Sequence, residues 1–411
     1  MPRKICLVTP GHLATNPRLV KEADALHEAG YNVEVIAARF VQWADEADRE
    51  FDERPWPVRR TAFGPLASLP RYVAQTIRRR GAQALWRAAG GPMRLAEQAF
   101  HPAVPSLVRL ARGVRADLYI AHNLAALPAA GRAARHYAAR VGFDAEDFHL
   151  GELPDDREHA PARRLVRTIE ARYLPECTHL TAASPGIARA YAAAYGIAEP
   201  RTVLNVFPLA ESPREQEAPS IEPGPGLYWF SQTVGPGRGI ETAVRAIGIA
   251  KSRPHLYLRG TPVPGYVEAL RALARKVGAP NRVHVLPPLP PGQLVRDAAR
   301  FHVGLAAEGV HVINRQIALT NKIFTYALAG IPTVASATPA QAEIAAEMPG
   351  AVHLYGVAES EELARAVDGL LCDPVALVRA RQAAWELAHE RFNWDVEKRE
   401  FLAGVAKCFE A

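Results

Sequence analysis

The stretch KICLVTPGHLATNPRLVKEADALHEAGYNVEVIAA, Lys4 to Ala38, decides how this chain folds. Its opening, KICLVTP, is a short apolar run of strand type, and its end, NVEVIAA, is another. Between them a loop from Gly11 to Asn16 leads into a helical pattern that starts at about Pro17. Strand, helix and strand in this order make a βαβ unit, which predicts a parallel sheet.

Working outward, strand-like runs recur at DLYIAH, RVGFDAE, HLTAAS and RTVLNVF, separated by helical patterns such as ALPAAGRAARHYAAR. A second alternating series begins at LYWFSQ and continues through HLYLRG, RVHVLP, FHVGLAAE and PTVAS. The segment between the two series, PLAESPREQEAPSIEPGPG, is rich in proline, glutamate and serine and reads as a linker. The expected fold is therefore α/β, with two doubly wound Rossmann-like domains facing a central cleft. The first spans residues 1–205, the linker 206–226 and the second 227–390, with a C-terminal helix over 391–411. The two C-terminal helical patterns are expected to complete the second series. Ligands of open α/β sheets bind at the carboxyl ends of the strands, so the cleft is the expected site.

With 411 residues, 49% hydrophobic and 22% charged, the composition is that of a globular protein with two full cores. Cys6, Cys177, Cys372 and Cys408 are far apart, without metal or disulfide spacing, which fits a reducing compartment. The first apolar run is too short for a signal peptide, and no stretch reaches the roughly 20 apolar residues of a membrane span. A cytoplasmic protein, or one peripheral to the inner membrane face, is expected. Arginine outnumbers lysine 42 to 7, and from Arg54 to Arg115 twelve arginines accompany a single acid, Glu97. One reading is a solvated surface. The other is a basic face, with Tyr72, Val73, Ile77, Leu85 and Trp86 among its apolar residues, that meets an anionic membrane or an anionic acceptor. No nucleic-acid motif accompanies the charge, so no nucleic-acid partner is expected.

Two places in the second series carry chemistry. The loop Thr233-Val-Gly235-Pro-Gly237-Arg238-Gly239 leads into a helix from Ile240. Its glycines let a phosphate approach backbone N–H groups, and Arg238 supplies a fork of donors. The loop is not a Walker motif and does not match G-x-G-x-x-G. The stretch ALTNKIFTYALAGIPTVAS predicts a helix capped by Thr320 or Asn321 and ended by Gly330 and Pro332. Lys322 lies in its first turn, where a cation opposes the helix dipole, and a bound anion explains it.

These motifs, with NPRLVKEADALHEAGYNVEVIA, DLYIAHN and RTVLNVF, are similar to those of the family 4 glycosyltransferases, over nearly the whole chain. Those are retaining enzymes of the GT-B fold that use nucleotide-sugar donors. The resemblance implies that Arg238 and Lys322 hold the donor diphosphate, with Gly235, Gly237, Gly239 and Asn321 in the donor site. It implies that His122 faces the donor sugar and that Gly11 lies in the loop approaching it from the acceptor side. Where the family has a ribose-binding glutamate, this chain has Thr325, and the partner glutamate is Ile317. Glu308 is the expected replacement for the missing partner, and the Thr325 hydroxyl is the expected ribose contact. Asn16, Arg18 and the run FDAEDFHLGELPDD, with Asp144, Glu146, Asp147 and His149, are expected on the acceptor side. Those acids resemble a metal motif only superficially, and two convergent cations already serve the leaving diphosphate. No metal and no cofactor beyond the donor substrate are expected.

The expected activity is transfer of a sugar from a nucleoside diphosphate to an acceptor hydroxyl on a carbohydrate or lipid-linked acceptor, with retention. Cell-surface polysaccharide or glycolipid synthesis is the expected setting. Two alternatives remain open: a non-catalytic scaffold of the same fold that binds a partner, and a nucleotide-sugar epimerase.

Overall fold

The computed structural model describes residues 2–89 and 91–410. Its strands are β1 (Lys4–Val8), β2 (Asn32–Arg39), β3 (Val58–Ala62), β4 (Leu118–His122), β5 (Arg140–Ala145), β6 (Cys177–Ala182) and β7 (Arg201–Thr202) in a first sheet. A second sheet holds β8 (Gly226–Val234), β9 (His255–Pro262), β10 (Val283–Leu286), β11 (Val303–Ala306), β12 (Thr333–Ser336) and β13 (Val352–Tyr355). The first runs in the order β3-β2-β1-β4-β5-β6-β7, the second β10-β9-β8-β11-β12-β13, and the paired strands are parallel. Central strands such as β4 (LYIAH) and β11 (VGLA) are buried along their whole length, as continuous apolar runs covered on both faces should be.

The chain divides into two compact units, residues 1–203 with 398–411, and residues 204–397. The last helix, Trp394–Glu410, therefore carries most of its length into the first unit and does not complete the second series. The reason is packing. Phe401 and Val405 are fully buried, the Phe401 ring meets His179 edge-on at 5.7 Å, and Cys408 lies 3.2 Å from the Thr178 carbonyl. RTVLNVF pairs with β6 over Arg201–Thr202 only. The proline-rich segment 206–226 is fastened along the second unit. Ser212 Oγ donates to Leu328 O (2.9 Å), Gln216 to Gly330 O (3.2 Å) and Ser220 N to Arg300 O (2.9 Å).

In each sheet the strand order reverses once, between β1 and β4 and between β8 and β11. At such a switch point the loops leaving two neighbouring strands diverge to opposite faces and open a crevice at their carboxyl ends. Gly11 and Asn16 follow β1 and His122 ends β4. The glycine loop follows β8 and Glu308 follows β11. The folds thus bring both groups of expected site residues to switch points.

The helix Leu69–Ala89 carries much of the arginine-rich region. Tyr72, Val73, Ile77 and Leu85 are exposed on it, but Trp86 is only 5% exposed, so Trp86 does not belong to the basic face. Consecutive residues are about 100° apart around a helix, which separates Leu85 from Trp86. The Trp86 ring lies inside, with the Arg164 guanidinium 5.9 Å from its centroid.

Candidate functional site

Lys322 is the second residue of the helix Asn321–Leu328, whose residues from Lys322 onward are buried. Thr320 occupies the N-cap position, but no side chain caps the helix. Its hydroxyl instead accepts from Lys322 Nζ at 3.2 Å. At the other end Gly330 has φ +69, and a Cβ there would stand 2.9 Å from the Trp385 ring. The Lys322 ammonium lies 5.4 Å from the Trp229 ring centroid and 5.9 Å from that of Phe230, a favourable setting for a cation. Burial holds its pKa below the ordinary lysine value, Glu308 opposes this, and the nearby charges of Arg238 and Arg315 add to it. Lys322 is a desolvated cation in a field of other cations.

Glu308 lies between two of them, Oε1 at 3.5 Å from Lys322 Nζ and Oε2 at 2.8 Å from Arg315 Nη1. Its backbone is held by Ser336, whose Oγ accepts from Glu308 N at 2.8 Å, and Gln341 donates to the same oxygen at 2.9 Å. Arg238 is partly exposed and makes no ion pair or hydrogen bond among the described residues, so its donors are available. The glycine loop meets the same place. Gly239 has φ +70, and a Cβ there would come within 2.8 Å of Ala307 Cβ, one residue from Glu308. His311 Nε2 lies 4.0 Å from where a Cβ on Gly237 would be. Gly235 is buried beside Val263.

Arg238, Lys322, the glycine loop, Asn321 and Glu308 are therefore gathered at one switch point. Thr325 is fully buried, and its hydroxyl donates back to Asn321 O at 3.0 Å, so in this conformation that donor is spent inside the helix. Arg315 and His311 were missed from the sequence. The signal was present, since they lie in EGVHVINRQ, the stretch that begins at Glu308.

The first unit carries a second cluster. His122, Asp144 and Thr181 are direct neighbours across β4, β5 and β6. Arg18 grips Asp144 with both arms, Nε–Oδ2 2.6 Å and Nη2–Oδ1 2.7 Å, and its third donor reaches Val203 O at 2.7 Å. Thr181 Oγ1 adds a 2.5 Å bond to Asp144. His122 Nε2 lies 3.1 Å from Glu22 Oε2, and Nδ1 lies 3.4 Å from Asp144 and 3.6 Å from Glu146. The His122 nitrogens and Glu22 oxygens sit at ion-pair distance without hydrogen-bond geometry. Burial works against charge on His122, yet Glu22, Asp144 and Glu146 outweigh it and hold its pKa well above the ordinary histidine value. Burial also opposes the Asp144 charge, but Arg18 and His122 hold that carboxyl well below its usual range. Burial and Asp144 push the Glu22 carboxyl up, against His122 and Arg18.

Ligand atoms of Glu22, His122 and Asp144 come within 4.8 Å of one another, a spacing that could hold a metal ion. Arg18 and His122 already engage these carboxylates, so a divalent cation would compete with them for the same oxygens. His122 is fully buried, so this cluster holds it in place and does not present it on the unit's surface. Asn16 is committed twice, capping Leu19 N (3.1 Å) and donating to Glu146 (3.0 Å). His149 lies deeper, with Nδ1 3.1 Å from Glu152 and Nε2 3.2 Å from Leu124 N, and the Asp147 carbonyl accepts from Tyr191 (3.1 Å). Gly11 has only ordinary contacts around a would-be Cβ, the nearest at 3.6 Å, so packing in this unit does not require a glycine there. Asn123, directly after His122, is exposed with φ 72, a backbone strain at the switch point that the sequence did not disclose.

No family model and no curated protein matches the sequence. Among solved structures the chain is similar to HepE of Anabaena in complex with UDP and glucose, at 17% identity and a TM-score of 0.69, covering 98% of this chain and 100% of that one. It is also similar to sucrose-phosphate synthase from Thermosynechococcus elongatus, at 14% identity and 0.70 over 99% of both chains. A third is WaaG, a glycosyltransferase involved in lipopolysaccharide biosynthesis, at 13% identity and 0.61 over 98% of both. At these identities the likeness concerns the fold: the two parallel-sheet units have the GT-B fold.

Proposed function

We propose that the chain is a retaining, metal-independent glycosyltransferase of the family 4 type, moving a sugar from a nucleoside diphosphate to an acceptor hydroxyl. The observation that carries this reading is the meeting of Arg238, Arg315 and Lys322 beside the glycine loop, with Glu308 between two of them. In the reaction the anomeric C–O bond to the diphosphate breaks, a C–O bond to the acceptor forms, and the acceptor's proton passes to the leaving phosphate. The largest demand is the charge that develops on the departing diphosphate, and cations already gathered beside the loop, with Lys322 buried among them, are suited to meet it. HepE and TarM crystallised with UDP, which makes uridine the first base to try. A carbohydrate or lipid-linked acceptor, in polysaccharide or glycolipid synthesis, completes the reading.

The test is calorimetric titration with UDP, GDP, dTDP, ADP and CDP, repeated on Lys322→Ala. One nucleotide should bind and lose that binding in the variant, and turnover should fall by about 10²–10³, the usual cost of one anion-stabilising donor. The buried Thr325 hydroxyl, where the family has a carboxylate, is the observation favouring the scaffold alternative. Failure of every nucleotide to bind the folded protein would put that alternative first.

A further inference from the structure

Among the described residues no helix is long and apolar enough to cross a membrane, yet one leaves a large apolar and arginine-rich face exposed. The helix Leu69–Ala89 is held to the first unit by one face. Arg71 donates to Thr61 Oγ1 (2.7 Å) and Ser106 Oγ (3.2 Å), Gln83 donates to Ala99 O (3.1 Å), and Gln75, Ala82 and Trp86 are buried. Among the described residues its other face has no cover. Leu69 is 74% exposed, Ile77 67% and Leu85 60%, with Tyr72 and Val73 close to half. At about 100° per residue, Leu69, Val73, Ile77, Gly81, Ala84 and Ala88 fall within an arc of about 120°. Arg87 stands at one margin of that arc and Arg80 about 20° inside it, and Arg78 lies about 60° beyond the other margin. Arginine stems can lie along an apolar surface while their heads reach outward.

We propose that this face binds an anionic lipid bilayer in the plane of the interface. The charge argues for that occupant. The helix contains no acidic residue, and from Arg54 to Ala96 the chain contains none. A second copy of the chain seated symmetrically on the same face would bring arginines against arginines. A polyanion without an apolar interior would leave Leu69, Val73 and Ile77 in water. A bilayer with anionic headgroups satisfies both parts, taking the apolar arc below the headgroups and the guanidinium groups among the phosphates. Membrane binding by this face is independent of the donor chemistry.

The full chain should co-sediment with phosphatidylcholine vesicles containing about a third phosphatidylglycerol, and not with pure phosphatidylcholine. Binding should weaken as salt rises from about 0.05 to 0.5 M, as the screening length shortens. A Val73→Glu, Ile77→Glu double variant and an Arg78→Gln, Arg79→Gln, Arg80→Gln triple variant should each lose roughly tenfold or more in binding. These are exposed positions, so both variants should melt like the parent and titrate nucleotide as the parent does. Absence of binding to anionic vesicles at low salt overturns the proposal. So does binding that the apolar variant leaves unchanged, which would mark a simple polyanion contact. A parent that forms dimers, with monomers in the double variant, would assign the face to a second copy and overturn it equally.

Discussion

At the scale of single residues, the two clusters treat buried charge in opposite ways. Around Lys322 the cations outnumber the one carboxylate between them, and the imbalance is what an incoming diphosphate would relieve. Around His122 two buried cations, Arg18 and His122, are each paired with carboxylates, and these pairs link β4 and β5 at their ends. The second case has a pH signature. His122 has a folded pKa raised above its unfolded value of about 6.5, so its contribution to stability is fully present below that pH and is lost as pH rises through the raised value. His122→Gln should cost about 3 kcal/mol near pH 6, as the loss of one partner of a buried ion group does. The gap between the two proteins in urea unfolding should narrow toward pH 10. A gap of equal size at both pH values would show that the imidazole is not charged in the fold. Thr325 illustrates a limit of residue-by-residue transfer from a family. Its hydroxyl was the expected ribose contact, but the side chain turns back to Asn321 O in its own helix.

At the scale of elements, the glycine loop is shaped by what it packs against. Gly239 combines a left-handed φ with a near contact to Ala307, whereas Gly237 has a similar φ of +74 and only His311 at 4.0 Å. Gly239→Ala should therefore cost about 1–3 kcal/mol, through strain and displacement of the loop, and weaken nucleotide binding measurably. Gly237→Ala should cost less, since it adds strain without a clash. Equal melting temperatures and affinities for both variants would show that the loop moves freely. The strands missed from the sequence, β3 and β13, have a shared cause. Both are edge strands, and VRRTA and VHLY present no buried run or clean alternation. The central strands were legible because a parallel sheet covered on both faces demands continuous apolar runs.

At the scale of the whole molecule, the C-terminal helix is the informative case. Read along the chain it follows the second series, but Phe401, Val405 and Cys408 are buried in the first unit. A chain ended at Glu397 loses two fully buried side chains from that core, each worth roughly 2–5 kcal/mol. The first unit's thermal transition should fall by about 10 °C or more. An unchanged transition would mean that the helix is only laid on the surface.

The amino-acid sequence by itself determined the two alternating series, the glycine loop after β8, the short helix that Lys322 opens, and its stop at Gly330 and Pro332. These are local matters, written in periodicity, turn chemistry and caps that act over a few residues. Only the tertiary structure decided that Arg18 meets Asp144 across 126 positions of sequence, that Arg315 joins Lys322 through Glu308, that Trp86 faces inward, and that the last helix belongs to the first unit. The physical reason is that charge pairing and burial are set by which distant segments share a low-dielectric interior, and no local pattern in the chain specifies that.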